Sequence, residues 1–498
     1  MKRYAVFGAG NIGFGVAEKL ASDSEVCLFD MKKPDYLSDL IDKNHKISFA
    51  KVDAVKEDSV EAAVASLPPD SLDGAILTVG VFSAENALDD LDAFRKTIST
   101  NFLGNIIPIR VLVKNKIFRS SAKIVVIAST SGHFAGLSVS AYAPSKWMLV
   151  NACHSIRAEL EEQGITLDII NPKTIKNVRS DEFTTNKGIE ASAVVDTILA
   201  ILRGGGHSKD RFVPKLFAIL HPIERLSPWV LDTLAGLPLH MIRKRRYQDI
   251  GGFALITGAS SGLGRELVRL LANQCNKIFV TARDLNALED LKMELTGKCE
   301  IVPIQVDFEN ISAAAAVKAV IGKQKIDLLI NNAGHHVVGS LLDAKIEIIE
   351  KTMMVNLLNP VALVAAFPEA STVVNILSTT AVAGRRNLGI YSSSKAGLWC
   401  FSKALRRTRG KKVHVIDVIP STFKSSLESK GDKLKVINAE KVDRINHAMG
   451  ILESKDVAEI VKHGIDKKRD MIYIPRFRAM LFSALEAISP KAFRKLFK

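Results

Sequence analysis

Two doubly wound α/β domains, each on a parallel sheet, are predicted for this chain of 498 residues on three observations. First, Tyr-x-x-x-Lys occurs twice, as Tyr142-Ala-Pro-Ser-Lys146 and Tyr391-Ser-Ser-Ser-Lys395. Each has a serine thirteen positions upstream, Ser129 and Ser378. Second, these triplets belong to a repeat with a period near 249 residues. Third, apolar strand-like runs alternate with helical patterns, as in parallel sheets covered by helices on both faces.

The repeat justifies the elements in order. Arg3-Tyr-Ala-Val-Phe7 reads as a first strand, and Gly8-Ala-Gly10-Asn-Ile-Gly13 follows it. In the second half, Thr257-Gly258-Ala-Ser-Ser-Gly262-Leu-Gly264 lies between the strand Phe253–Ile256 and a helix expected near Arg265. A glycine-rich turn of this kind lets the backbone approach a pyrophosphate, which then sits on a helix N-terminus. The second strands end in Asp30 and Arg283, and the third are followed by Asp53 and Asp307. Asn101 in Ser99-Thr-Asn-Phe-Leu matches Asn356 in Met354-Val-Asn-Leu-Leu. The runs Lys123–Ala128 and Thr372–Leu377 lead to the two serines, and helical patterns follow the two tyrosines. Ile169-Ile-Asn-Pro172 matches Val418-Ile-Pro420, and Arg211–Pro214 matches Ile472–Pro475. Each half closes on an amphipathic extension, from Lys215 to Leu239 and from Arg476 to Lys498. The expected domains are residues 1–240 and 253–498, joined by a basic linker over 241–252.

Each half, about 250 residues, can bury a large core. No uninterrupted apolar stretch reaches the ~20 residues of a membrane span, and the chain runs directly into a strand rather than a signal peptide. Cys27, Cys153, Cys275, Cys299 and Cys400 have no paired or metal-ligand spacing and read as reduced thiols, so a cytoplasmic protein is expected. No histidine/carboxylate cluster suggests a metal. The net charge of +15 concentrates at Arg243-Lys-Arg-Arg246 and at the C-terminus. Without a nucleic-acid signature or an aromatic-basic stripe, it does not point to nucleic acid. In the last segment, Phe477, Leu481, Phe482 and Leu485 accompany Arg476, Arg478, Lys491 and Arg494. Such a basic amphipathic tail suits peripheral contact with an anionic lipid surface, or packing on its own domain.

The Tyr–Lys spacing has a chemical reason. Tyrosine is a poor acid near neutral pH because its pKa is ~10. A lysine ammonium one helical turn away favours the phenolate. The tyrosine can then exchange a proton with an alcohol or carbonyl oxygen, which the serine hydroxyl holds by a hydrogen bond.

On these motifs both halves resemble the short-chain dehydrogenase/reductase family from end to end. The resemblance implies tandem Rossmann-type domains and NAD(P)-dependent interconversion of an alcohol and a carbonyl. It assigns Asn101, Ser129, Tyr142 and Lys146 to one catalytic tetrad, and Asn356, Ser378, Tyr391 and Lys395 to the other. The asparagine would help hold a proton-relaying water, and the lysine would also bond the nicotinamide ribose. Gly8, Gly10, Gly13, Gly258, Gly262 and Gly264 would bind the pyrophosphate, and Asp53 and Asp307 would face the adenine. The second half matches the family's TGxxxGxG pattern and its Asn331-Asn332-Ala-Gly334 motif. The first half has a glycine turn one residue shorter and Thr78-Val-Gly80 in place of that motif, so its packing there should differ.

A carboxylate at Asp30 can bond both ribose hydroxyls and repels a 2′-phosphate, so the first half should take NAD. A guanidinium at Arg283, supported by Ser260, can bond that phosphate, so the second should take NADP. Solvated loop charges are the alternative for both. Lys173 and Ser421 replace the family's glycine after Pro172 and Pro420, and His133, His335 and His336 should lie on loops near the substrate. The substrate is expected to be a small alcohol or carbonyl compound, apolar or lipid-like. Related enzymes pair through two helices, which would begin here near Asn101 and Tyr142, and near Asn356 and Tyr391. An intrachain pseudo-dimer is therefore expected, lined by Trp147, Leu149, Val150, Leu398, Trp399 and Phe401. The other reading makes one half a non-catalytic nucleotide-sensing or scaffolding domain beside a C-terminal reductase.

Overall fold

The computed structural model describes residues 1–33, 41, 46–83, 86–134, 140–176, 188–204, 208–215, 252–382, 384–409, 412–424, 432–434 and 452–475. Residues 241–251 of the linker and nearly all of both amphipathic extensions lie outside them.

The first half builds a sheet from β1 (Lys2–Phe7), β2 (Ser24–Asp30), β3 (Ile47–Lys51), β4 (Leu72–Leu77), β5 (Phe118–Ile127), β6 (Thr166–Pro172) and β7 (Asp210–Val213). Their order is β3-β2-β1-β4-β5-β6-β7, with every ladder parallel. The second half repeats it with β8 (Phe253–Thr257), β9 (Lys277–Ala282), β10 (Glu300–Gln305), β11 (Leu328–Asn331), β12 (Thr372–Ile376), β13 (His414–Pro420) and β14 (Met471–Ile474). Their order is β10-β9-β8-β11-β12-β13-β14, again parallel throughout. In the second half β11, β12 and β13 are buried along their whole length, and in the first half the last four residues of β1, β4 and β5 are buried, as sheets covered on both faces require. The strand order reverses between β1 and β4, and between β8 and β11. Both glycine turns sit at that switch point, where open α/β sheets bind ligands.

Asn101 and Asn356 do not begin helices. Each sits in a π-helical turn, Ser99–Leu103 or Met354–Leu358, in the middle of a longer helical run. The first run starts earlier because Asp90 caps it, its side chain accepting from the Asp92 and Ala93 N–H groups at 3.0 and 2.9 Å. The second run, Ile346–Ala366, is long and apolar enough to cross a membrane by length and composition. Most of it is buried inside the fold, which is the position of a core helix.

The two halves pack through the Tyr142 helix (Tyr142–Glu162) and the Tyr391 helix (Gly389–Arg409). All six apolar residues expected in the interface are buried. The Trp147 and Trp399 rings lie 6.3 Å apart, and Lys403 Nζ stands 4.4 Å from the Trp399 ring centre. Gly397 allows this approach, since a Cβ there would meet Met148 Sδ at 2.8 Å. Polar contacts cross the same seam. Asn151 Nδ2 donates to the Thr380 and Ala381 carbonyls at 3.3 Å each. Cys400 Sγ lies 4.0 Å from the Gly132 carbonyl, and Lys403 Nζ donates to the His133 carbonyl at 3.3 Å. Asn151 and Cys400 each lie nine positions after their tyrosine. Each meets the turn that follows the other half's serine. At the rim, Arg386 pairs with both carboxylate oxygens of Glu162 at 2.6 Å. The arrangement is an intrachain pseudo-dimer with the self-complementary contacts of a two-fold interface.

Candidate active sites

The π turn aims each asparagine at the loop after the fourth strand of its sheet, and the same set of bonds forms twice. Asn101 Oδ1 accepts from the Val81 N–H at 2.7 Å, and its Nδ2 donates to Val81 O at 3.0 Å and Ser145 Oγ at 2.9 Å. Asn356 Oδ1 accepts from the His335 N–H at 2.8 Å, and its Nδ2 donates to His335 O and Ser394 Oγ, both at 2.9 Å. Ser145 and Ser394 each donate to the carbonyl of their tyrosine at 2.7 Å. Lys146 Nζ donates to Ile127 O at 3.0 Å, and Lys395 Nζ to Ile376 O at 2.8 Å. The two ammonium groups stand 5.8 and 5.9 Å from their tyrosine ring centres. Ser129 Oγ accepts from the Ser131 N–H at 3.1 Å, and Ser378 Oγ from the Thr380 N–H at 3.2 Å. Each tyrosine ring meets a second ring edge-on, Phe82 at 5.1 Å in one half and His336 at 4.7 Å in the other.

Burial sets the proton affinities. It presses both Lys146 and Lys395 down to about 8. Burial raises Tyr142, while its hydrogen bond with Ser129 pulls the other way. In the protein alone, then, desolvation outweighs the Ser129 hydrogen bond and leaves the phenol above its ordinary value. His336 is pressed down to about 4 by burial and by His335 and Lys395, so it is neutral at pH 7.

The glycine turns bring backbone close to backbone. Gly8 and Gly258 have φ of +100° and +68°, a region that favours glycine. A Cβ on Gly13 would lie 1.8 Å from Gly8 O, and one on Gly264 would lie 2.3 Å from Gly258 O. A Cβ on Gly10 would meet nothing within 4 Å. Its bareness serves no packing need of the protein and leaves room for a ligand. The helix of the second turn begins at Gly262, three residues before its expected start, so its unpaired N-terminal N–H groups lie within the glycine turn.

The missing Asn-Asn-Ala-Gly motif is compensated. Asn332 Nδ2 donates to Thr257 O at 2.8 Å and Gly258 O at 3.1 Å. Thr78 Oγ1 donates to the matching carbonyls, Phe7 O and Gly8 O, both at 3.0 Å. A shorter side chain thus ties the same two strand ends.

At the adenosine side, Asp30 Oδ2 accepts from the Ala9 N–H of the glycine turn at 2.6 Å. Asp53 and Asp307 each accept a backbone N–H two residues on, at 3.3 and 3.0 Å. Arg283 Nη1 pairs with Glu309 at 2.9 Å. In the second half, Ser260, Arg283, Asp307, Asn332, Ser378 and Tyr391 all line one cavity of about 340 Å³, large enough for a small-molecule site. His335 and His336 line it too. His133 does not lie on a loop as expected. It lies on a short helix (Thr130–Phe134), buried between the Trp147 and Phe212 rings, each 5.1 Å away, with Nε2 3.1 Å from Asn171 Oδ1. Lys173 and Ser421 donate their N–H groups to Val213 O and Ile474 O at 2.9 and 2.7 Å, tying those turns to the last strands.

Sequence reasoning missed Ser145 and Ser394, Glu309, and the crossing contacts of Asn151 and Cys400. A signal existed for the serines, since both motifs read Tyr-x-x-Ser-Lys.

This fold and these paired sites define a class of oxidoreductase. The model of the short chain dehydrogenase family matches residues 2–187 and 252–434, more than half of the chain, and the chain belongs to that family. It is 32% identical over 256 residues to the probable short-chain type dehydrogenase/reductase VdlC of Helicobacter pylori, covering 48% of this chain and 93% of that protein. It is 28% identical over 293 residues to human estradiol 17-beta-dehydrogenase 11, covering 54% of this chain and 93% of that protein. An N-terminal ketoreductase from the macrolactin assembly line superposes with a TM-score of 0.62. That match covers 95% of this chain and 86% of the other at 13% identity, which shows a shared two-domain fold.

Proposed function

We propose that both halves interconvert an alcohol and a carbonyl, the first with NAD and the second with NADP. The observation that carries this reading is the asparagine, motif-serine and lysine hydrogen bonds, which recur in both halves around a tyrosine and an upstream serine. The cofactor supplies or accepts a hydride when bound. Gly8, Gly10 and Gly13, or Gly258, Gly262 and Gly264, would hold its pyrophosphate, with Asp30 or Arg283 at its ribose.

In each site the serine hydroxyl orients the substrate oxygen, and the tyrosine exchanges a proton with it. The lysine restores that proton and, when charged, stabilises the phenolate. The asparagine is a positioning residue: it fixes the loop after the fourth strand against the tyrosine helix through Ser145 or Ser394. Leu377, Leu388 and Phe423 in the cavity wall favour an apolar substrate, as does similarity to a protein named for estradiol.

Opposite charges at the ribose position support a paired scheme. Cells usually keep NAD oxidised and NADP reduced. One half could then oxidise an alcohol and the other reduce the ketone, inverting a carbinol or moving an oxidation level with both steps driven.

The cofactor assignment is tested by titration. Arg283→Asp should weaken NADPH binding by about 10–100-fold and leave NADH binding nearly unchanged. Equal losses of both would show that Arg283 does not read the phosphate.

A further inference from the structure

Three elements converge on one carboxylate oxygen at the adenosine end of the second site. Arg283, just after β9, places Nη1 2.9 Å from Glu309 Oε1, and Lys351 of the Ile346–Ala366 run places Nζ 3.1 Å from the same atom. Arg283, Asp307 and Glu309 line the cavity together. Glu309 is held in place by its turn. Its N–H donates to Asp307 Oδ1 at 3.0 Å, and Asn359 Nδ2 donates to Phe308 O at 2.8 Å and Asn310 O at 3.0 Å. The first half builds the same turn, where the Val55 N–H donates to Asp53 Oδ1 at 3.3 Å. There the residue matching Glu309 is Val55, and the strand register matches Arg283 to Met31, the residue after Asp30. The carboxylate is therefore present in the repeat that has the guanidinium and replaced in the repeat that lacks it.

We infer that Glu309 is a specificity-determining residue of the second site, competing with the 2′-phosphate for Arg283 and holding NADP preference below what Arg283 alone would give. This rests on the reading of Arg283 as the phosphate's partner. Before cofactor binds, Glu309 satisfies one edge of the guanidinium. A 2′-phosphate, with a charge approaching −2, must share or take that guanidinium while facing a carboxylate of like sign. A dinucleotide with a 2′-hydroxyl meets no such opposition. Lys351, 3.1 Å from the same oxygen, still holds the carboxylate in place when Arg283 turns to the phosphate. Glu309→Gln keeps the shape and one acceptor oxygen but removes the charge that opposes the phosphate.

The test is calorimetric titration of the full chain, native and Glu309→Gln, with NADPH, NADH and adenosine 2′,5′-bisphosphate. The first site is identical in both proteins, so any difference belongs to the second. NADPH and the bisphosphate should bind about tenfold tighter to the variant and NADH less than twofold differently, with the gain shrinking as salt rises. Unchanged or weaker NADPH binding would overturn the inference, because Glu309 would then serve only to hold Arg283 in place. The Arg283→Asp titration separates the two claims. A selective loss of NADPH there, with no gain in Glu309→Gln, leaves the NADP assignment standing and sinks the competition. A nonselective loss sinks both.

Discussion

Tyr391→Phe should reduce turnover at the second site by about a hundred- to ten-thousand-fold, the usual contribution of a positioned proton donor. NADPH affinity and melting temperature should stay near native values. The substitution removes only the hydroxyl. The ring keeps its edge-on contact with His336 at 4.7 Å, and the helix keeps the Ser394 bond to the residue 391 carbonyl. Tyr142→Phe should act in the same way on the first site. In the paired scheme each variant blocks a different half-reaction, and Tyr391→Phe accumulates the ketone. One silent variant beside one that abolishes all turnover would make the silent half structural or regulatory. A pH profile adds a second readout. Lys395 is pressed down to about 8 by burial, so it is charged below that pH and neutral above it. Reduction consumes a proton that this lysine helps deliver, so its rate should fall as pH rises through about 8.

Trp399→Ala should cost about 3–5 kcal/mol, the range for truncating a large aromatic in a packed core. The indole is 1% exposed. It packs 6.3 Å from the Trp147 ring of the other half and 4.4 Å from Lys403 Nζ, so the change removes both packing and a cation–π contact. The melting transition should fall by on the order of 10 °C in calorimetry. Turnover at both sites should fall as well, because the same seam carries the Asn151 bonds to the Ser378 turn and the Lys403 bond to the Ser129 turn. A loss under about 1 kcal/mol would mean that the halves fold independently of their seam.

Much of this was legible in the sequence because the signals are local. Strands, glycine turns and Tyr-x-x-x-Lys pairs each occupy a few consecutive residues, and their recurrence at one period marked two copies of one parallel-sheet domain. The unread features depend on distant partners. Thr78 could not be matched to Asn332, because its likeness lies in the carbonyls it reaches, 70 and 71 positions away. His133 looked like a loop residue, but Trp147 and Phe212 close over it. Asn101 was read as starting a helix because a π turn leaves no mark in composition, and the Asp90 cap lies eleven positions earlier. Glu309 gained meaning only once β9, β10 and the Ile346–Ala366 run brought two cations to it.

The central claim is that one chain carries two complete dinucleotide sites of different preference. Native mass spectrometry of the full chain, saturated with NAD and NADPH together, tests it most directly. The account predicts two dinucleotides per chain, one of each kind, with Arg283→Asp losing only the NADPH. A single dinucleotide per chain under saturating amounts of both would contradict it.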